Sequence, residues 1–183
     1  MPDYRKTILE ELGASLKNVK ETEIAELAER ILEAGKIFCD GLGRSRLVMQ
    51  GFAMRLVQMG LKGVMVGEAT APAFEKGDLL LICSASGSSE TLRYHAGRAK
   101  ECGGKVALIT AKEQSPLTGY ASGEILIGAP DKDARKGEGA SVQPMGTLFE
   151  QSAGLICDAV TLELMKRLEL TSETMRKYHA NIE

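Results

Sequence analysis

The sequence predicts an α/β fold, a parallel sheet covered by helices on both faces. Three observations carry this. Short apolar runs alternate with helical stretches through the middle of the chain, and these runs are nearly continuous in apolar residues, as strands buried on both faces must be. Two of them, KIFCDGLGRS ending at Ser45 and DLLLICSASGSSET ending at Thr91, then pass through a glycine and serine loop directly into a helix. Ligands of such sheets lie beyond the carboxyl ends of the strands, where strand order reverses.

The elements follow in order. From Asp3 to Val19, apolar Ile8, Leu12, Leu16 and Val19 recur at helical steps, and Ile24, Leu27, Ile31 and Leu32 do so from Thr22 to Ala34. A strand follows Gly35, then a helix over Ser45–Met59, a strand over Gly63–Val66 and another over Asp78–Cys83. A helix over Ser88–Cys102, a strand over Lys105–Thr110, a short helix near Pro116 and a strand over Glu124–Ile127 complete the alternation. Residues 128–143 have no periodicity and carry six charges in sixteen positions, the pattern of an exposed, mobile loop. The stretch MGTLFEQSAGLICDAVTLELMKRL is a long helix so apolar that it must be buried on more than one side, which points to subunit contacts. A last short helix starts near Thr171, a good N-cap residue.

The two loops carry the functional signal. A helix N-terminus offers unpaired N–H groups and a partial positive charge, so an anion finds donors and a favourable dipole together. Gly41, Gly43 and Gly87 allow close backbone approach, and Ser45, Ser84, Ser86, Ser88 and Ser89 supply hydroxyl donors. One such loop is also what an ordinary capped turn looks like. Two on separate strands of one sheet point to a phosphorylated ligand.

Composition narrows the classes. The chain has 183 residues, enough for one domain over 1–183, with 23 Lys and Arg against 25 Asp and Glu. A net charge of -2 gives no basic field for nucleic acid. No apolar stretch is long enough to span a bilayer, and no signal-type segment opens the chain, so a cytoplasmic protein is expected. Cys39, Cys83, Cys102 and Cys157 lack CxxC spacing, and three lie in apolar stretches, the pattern of reduced core residues. GLGRSR has two glycines of a dinucleotide motif and Glu68 stands where a ribose-binding acid belongs, but Arg46 replaces the third glycine. The P-loop pattern is absent, and no His or Cys cluster has metal spacing.

Between Met145 and Val160 only Glu150 and Asp158 are ionisable, eight positions apart on about the same helix face. Glu150 either complements the helix dipole, with Asp158 paired to an arginine, or serves as a base in a partly apolar site. His95 reads as a structural or surface residue, and His179 lies in the tail RKYHANIE, where histidines are usually solvated.

The order GLGRS, VGEATAPAFEKGDLLLICSASGSS, QPMGTLFEQ and MRKYHANIE resembles the 6-phospho-3-hexuloisomerase family, a branch of the sugar isomerase (SIS) domain proteins, over nearly the whole chain. The serine loops are shared by all SIS domains, whereas VGEATAP, QPMGTLFEQ and the HAN tail are more specific. One departure stands out: the family loop SGSGET is SASGSS here, with Ser88 in place of glutamate and Ser89 in place of threonine.

The resemblance implies a three-layer α-β-α sandwich with a five-stranded parallel sheet in flavodoxin-like order, N-terminal helices and a long C-terminal helix, assembled as a homotetramer. It implies reversible isomerisation of D-arabino-3-hexulose 6-phosphate to fructose 6-phosphate through an enediol, without metal or organic cofactor, and functional coupling to 3-hexulose-6-phosphate synthase. The same reaction serves formaldehyde fixation, in the ribulose monophosphate pathway, and pentose synthesis. It further implies Glu150 as base, His179 as proton shuttle between O2 and O3, Arg44 on the hydroxyls or enediolate, and Ser45, Ser84, Ser86 and Ser89 on the phosphate, with Gly43, Gly87 and Ser88 completing the loops. Two other readings stand beside it. One is a SIS isomerase acting on arabinose 5-phosphate or sedoheptulose 7-phosphate, and the other a non-catalytic sugar-phosphate-binding module.

Overall fold

The computed structural model describes residues 2–130 and 141–182. Helices α1 (Tyr4–Leu16) and α2 (Glu21–Glu33) lead into β1 (Ile37–Gly41), α3 (Arg44–Gln58), β2 (Gly63–Met65) and β3 (Leu79–Cys83). Then come α4 (Glu90–Glu101), β4 (Lys105–Thr110), a 3-10 turn at Thr118–Tyr120, β5 (Gly123–Leu126), the long α5 (Thr147–Arg167) and the short α6 (Ser172–Met175), followed by a second 3-10 turn at Arg176–Tyr178. The short helix expected near Pro116 is thus a single 3-10 turn.

All strand pairs are parallel, in the order β2-β1-β3-β4-β5. This is the flavodoxin-like order, and its reversal falls between β1 and β3, whose residues pair from Ile37 with Leu79 to Gly41 with Cys83. Strand alternation divides the core. Ile37, Cys39, Leu79, Leu81 and Cys83 pack with α2, α3 and α5 on one face, whereas Phe38, Leu80, Ile82 and Leu108 pack with Leu92, Ala96 and Ala99 of α4 on the other. The three layers follow from that alternation.

Caps and polar links set the helices in place. Asp3 accepts the N–H groups of Arg5 and Lys6 at the start of α1. At its far end the hydroxyls of Ser15 and Ser152, both buried, share a hydrogen bond of 2.6 Å that docks α1 on α5. Thr171 caps α6, as expected, and exchanges side-chain and backbone bonds with Thr174.

Helix α5 departs from expectation in one respect. Its buried residues, from Leu148 and Phe149 to Val160 and Leu164, form one broad stripe against α1, α2 and α3. Leu155 and Leu162 on the other side are exposed, as are Leu47, Met54 and Val57 of α3. Asp158, expected to share a face with Glu150, points to solvent. Of the loop expected over 128–143, residues 131–140 lie outside the described residues. No described helix is long and apolar enough to cross a membrane.

Candidate active site

The carboxyl ends of β1 and β3 must each turn sharply into a helix, and glycine makes both turns possible. At Gly41 a Cβ would come within 3.1 Å of the Arg46 nitrogen and 3.2 Å of the Cys83 carbonyl, so the bare backbone lets the first turn of α3 settle on the strand ends. Gly43 has φ +56°, in the left-handed region, and is the N-cap of α3 without any side-chain cap. The leading N–H groups of α3 therefore face outward beside Arg44 and Ser45.

The second loop is organised by its own serines. The Ser84 Oγ accepts the Gly87 N–H at 3.2 Å, and the Ser89 Oγ accepts the Leu92 N–H at 3.4 Å as the N-cap of α4. Each of these oxygens is used as an acceptor, which leaves its O–H free to donate into the cleft. The hydroxyls of Ser86 and Ser88 lie 2.8 Å apart, one donating to the other. Gly87 has φ +61°, and a Cβ on it would fall 2.1 Å from the Ser115 hydroxyl, so this turn closes over Ser115 only with glycine.

Between the loops and the start of α5 lies a cleft of about 680 Å³. It gathers Gly43, Arg44, Ser45, Ser84, Ser86, Ser88, Ser89 and Glu150, all expected from the sequence. Gly87 stands behind the loop and shapes it. Glu150 enters from the first turn of α5, its side chain 15% exposed, and pairs with the Nε of Arg44, which is 65% exposed. The carboxylate is therefore not an isolated charge in an apolar pocket. Its neighbour on the exposed side is a guanidinium that a ligand can displace or share. Beneath it, burial and the Glu150 charge push the Cys83 thiol up to about 12 against a hydrogen bond from Ser45, so this sulfur stays protonated and acts as wall.

Three residues of the cleft mouth stand in the QPMGTLFEQ stretch but were not among the expected site residues. Pro144, Met145 and Gly146 line it, and Met145, 75% exposed, has φ +55°. A left-handed methionine is strained, and such strain clusters at functional sites. A Met-Gly pair ahead of a helix was the available turn signal. The segment is held by Glu11 of α1, which accepts the Ser141 hydroxyl at 2.7 Å, the Val142 N–H at 2.8 Å and the Gln143 amide at 2.9 Å.

Those three bonds hold the Glu11 carboxyl below its ordinary 4.5 although burial, the largest single effect, opposes them. A folded-state value below the unfolded one stabilises above about pH 4.5 and is lost as pH falls through the folded value. Glu11→Gln is thus expected to lower stability by about 1 kcal/mol at pH 7, discounted for partial exposure. Thermal melts across pH check this, with the gap to wild type closing below that range.

His179 is not in the cleft of its own chain. It follows the 3-10 turn whose Tyr178 ring packs against Gly60, 3.3 Å from where a Cβ would stand, at the opposite end of α3 from Arg44. Glu68 is exposed and ion-paired with Arg46 at 3.4 Å, outside the cleft, so the acid considered for a ribose is taken up by the arginine that breaks the glycine motif. All four cysteines are free, with Cys39, Cys83 and Cys157 buried. Among the described residues no three His, Cys, Asp or Glu side chains gather into a metal-binding group.

The SIS domain model matches residues 30–150. The 3-hexulose-6-phosphate isomerase of Bacillus subtilis is 41% identical over 181 residues, covering 99% of this chain and 98% of the relative. That of Methylomonas aminofaciens is 38% identical over the whole of both chains, 183 residues. The crystal structure of a hypothetical protein from Methanococcus jannaschii, for which a molecular function of 3-hexulose-6-phosphate isomerase was inferred, superposes with a TM-score of 0.83 at 31% identity over 99% of each chain. The chain belongs to the SIS domain family and, within it, to the family of the 3-hexulose-6-phosphate isomerases.

Proposed function

We propose that this chain interconverts D-arabino-3-hexulose 6-phosphate and fructose 6-phosphate, with Glu150 as the base. The observation that carries the reading is the placement of one carboxylate, paired with Arg44, in a cleft walled by two helix-start serine loops. The relatives bearing the isomerase name span the full length of the chain, which supports the substrate.

In this mechanism the hydroxyls of Ser45, Ser84, Ser86 and Ser89, with the open N–H groups of α3 and α4, hold the phosphate and so orient the carbons distant from it. Glu150 takes the C2 proton of the 3-ketose, the electrons of that C–H bond form the C2–C3 double bond, and the C3 carbonyl becomes an enediolate oxygen beside Arg44. Return of the proton to C3, with the O2 proton passing to O3, restores a carbonyl at C2. With O6 phosphorylated the 3-ketose cannot close a five-membered ring, so no ring opening precedes this direction. His179 is the shuttle between O2 and O3, since a neutral imidazole gives one proton and accepts another.

Because His179 sits at the far end of α3 from the cleft, it serves a neighbouring subunit of a homotetramer. The exposed apolar side chains of α3 and α5 offer surface for such contacts. Residues 1–183 act as one SIS domain in a soluble, cytoplasmic enzyme, working downstream of 3-hexulose-6-phosphate synthase in formaldehyde fixation or upstream of it in pentose synthesis.

The phosphate assignment is expressed in binding. Ser45→Ala or Ser86→Ala is expected to weaken substrate and inorganic phosphate by about 1 to 3 kcal/mol, the cost of leaving a charged group short of a donor. Normal KM in both variants, with no inhibition by phosphate or sulfate, contradicts it. The function itself is tested by incubating the protein with fructose 6-phosphate and resolving the products by carbon NMR. A 3-ketose 6-phosphate is expected, and conversion of arabinose 5-phosphate or sedoheptulose 7-phosphate in its stead would overturn the assignment.

A further inference from the structure

Asp40 is the one charged residue in β1, and it is only 1% exposed. A buried carboxylate is costly unless its oxygens are matched, and both are. Oδ1 accepts the N–H of Gly41 at 2.8 Å, and Oδ2 accepts the Nδ1–H of His95 at 2.7 Å. The chemistry above uses neither residue. Asp40 follows Phe38 on the α4 face of the sheet, and neither Asp40 nor His95 lines the cleft.

Their positions in the fold point to what they do. Gly41 is the residue on which the first turn of α3 rests, so Asp40 holds the root of the first loop. His95 stands within α4, the helix that Ser89 caps at the end of the second loop. Helix α4 packs across β3 and β4, and His95 reaches past β3 to its other neighbour, β1. Among the described residues this is the one hydrogen bond that joins α4 to β1.

We propose that Asp40 and His95 are a positioning pair that sets the separation of the two anion-binding helix starts, so that both loops close on one phosphorylated ligand. This rests on the phosphosugar reading of the cleft. A charge-assisted bond of 2.7 Å, shielded from water on the Asp40 side, resists sliding of α4 along the sheet. Hydrogen bonds to phosphate oxygens weaken steeply when their donors shift, whereas Glu150 is carried by α5 on the opposite face. Loss of the pair therefore reaches binding before it reaches proton abstraction.

The test compares His95→Leu with His95→Asn in the full chain, by steady-state kinetics on fructose 6-phosphate and calorimetric titration with inorganic phosphate. Leucine fills the space without a donor, and the asparagine amide places an N–H near the former Nδ1. His95→Leu is expected to raise KM and the phosphate Kd together by about tenfold with kcat within about twofold, and His95→Asn to restore most of both. Asp40→Ala combined with His95→Leu should be no worse than Asp40→Ala alone, as for partners in one bond.

A folded His95→Leu with unchanged KM and phosphate Kd, or with kcat lowered at constant KM, overturns the proposal. Should that variant not fold, Asp40→Asn keeps the shape and the Gly41 contact while removing the charge, and a rise of about threefold or more in both constants is required of it. Phosphate affinity is read without turnover. A wild type that fails to isomerise fructose 6-phosphate while His95→Leu still loses phosphate sinks the substrate assignment and leaves the pair standing; normal turnover with phosphate affinity indifferent to His95 does the reverse.

Discussion

Glu150→Gln is expected to cut turnover of fructose 6-phosphate by about 10² to 10⁴ while leaving the fold and phosphate affinity in place. The amide has nearly the shape of the carboxylate, and its carbonyl still accepts from Arg44, so the start of α5 has no reason to move. Arg44 loses its counter-charge but is 65% exposed and stays hydrated. What disappears is the basic oxygen. Because a base acts in the transition state and contributes little to binding, kcat and kcat/KM should fall together with KM nearly constant. Retention of more than about a tenth of the wild-type rate would place the base elsewhere.

The second large effect concerns chain partnership. Glu150→Ala and His179→Ala are each expected to be nearly inactive alone, and the proposed tetramers, refolded from an equal mixture, are expected to regain activity. Helix α3 carries 15 residues between the cleft and the Tyr178 contact, a span of about 22 Å at 1.5 Å per residue. No rotamer of His179 crosses that distance within its own chain. In a random mixture about one site in four combines an intact Glu150 from one chain with an intact His179 from another, and activity near that fraction is predicted. Hybrid tetramers, verified by mass spectrometry, that stay as inactive as their parents would exclude a shared site.

The fold was legible because parallel strands buried on both faces leave continuous apolar runs. The run Lys105–Thr110 coincides with β4 residue for residue, and β3 begins one residue after the expected Asp78, which instead accepts the Glu75 N–H and pairs with Lys36 before the strand. The serine loops were legible for a similar reason, since a strand-loop-helix corner is local in sequence. Contacts between distant residues were not. The pair Arg44 and Glu150 spans 106 positions, and Asp40 and His95 span 55, so no periodicity connects them. Nothing in the sequence singles out Glu11, and only the folded chain brings residues 141–143 to it. His95, which the sequence left as a structural or surface residue, has a partner that a scan of β1 passes over as a lone acid in an apolar strand.

The central claim, a base in this cleft working across C2 and C3, is tested most directly by proton exchange. In fructose 6-phosphate the C2 carbonyl acidifies the hydrogens on both C1 and C3, and the position of Glu150 relative to the bound phosphate decides which is removed. With the protein in deuterated water, NMR should find deuterium at C3 of fructose 6-phosphate and at C2 of the 3-ketose formed, and neither label with Glu150→Gln. Deuterium at C1 with C3 unlabelled, or label at C3 that persists in the Glu150→Gln variant, would contradict the account.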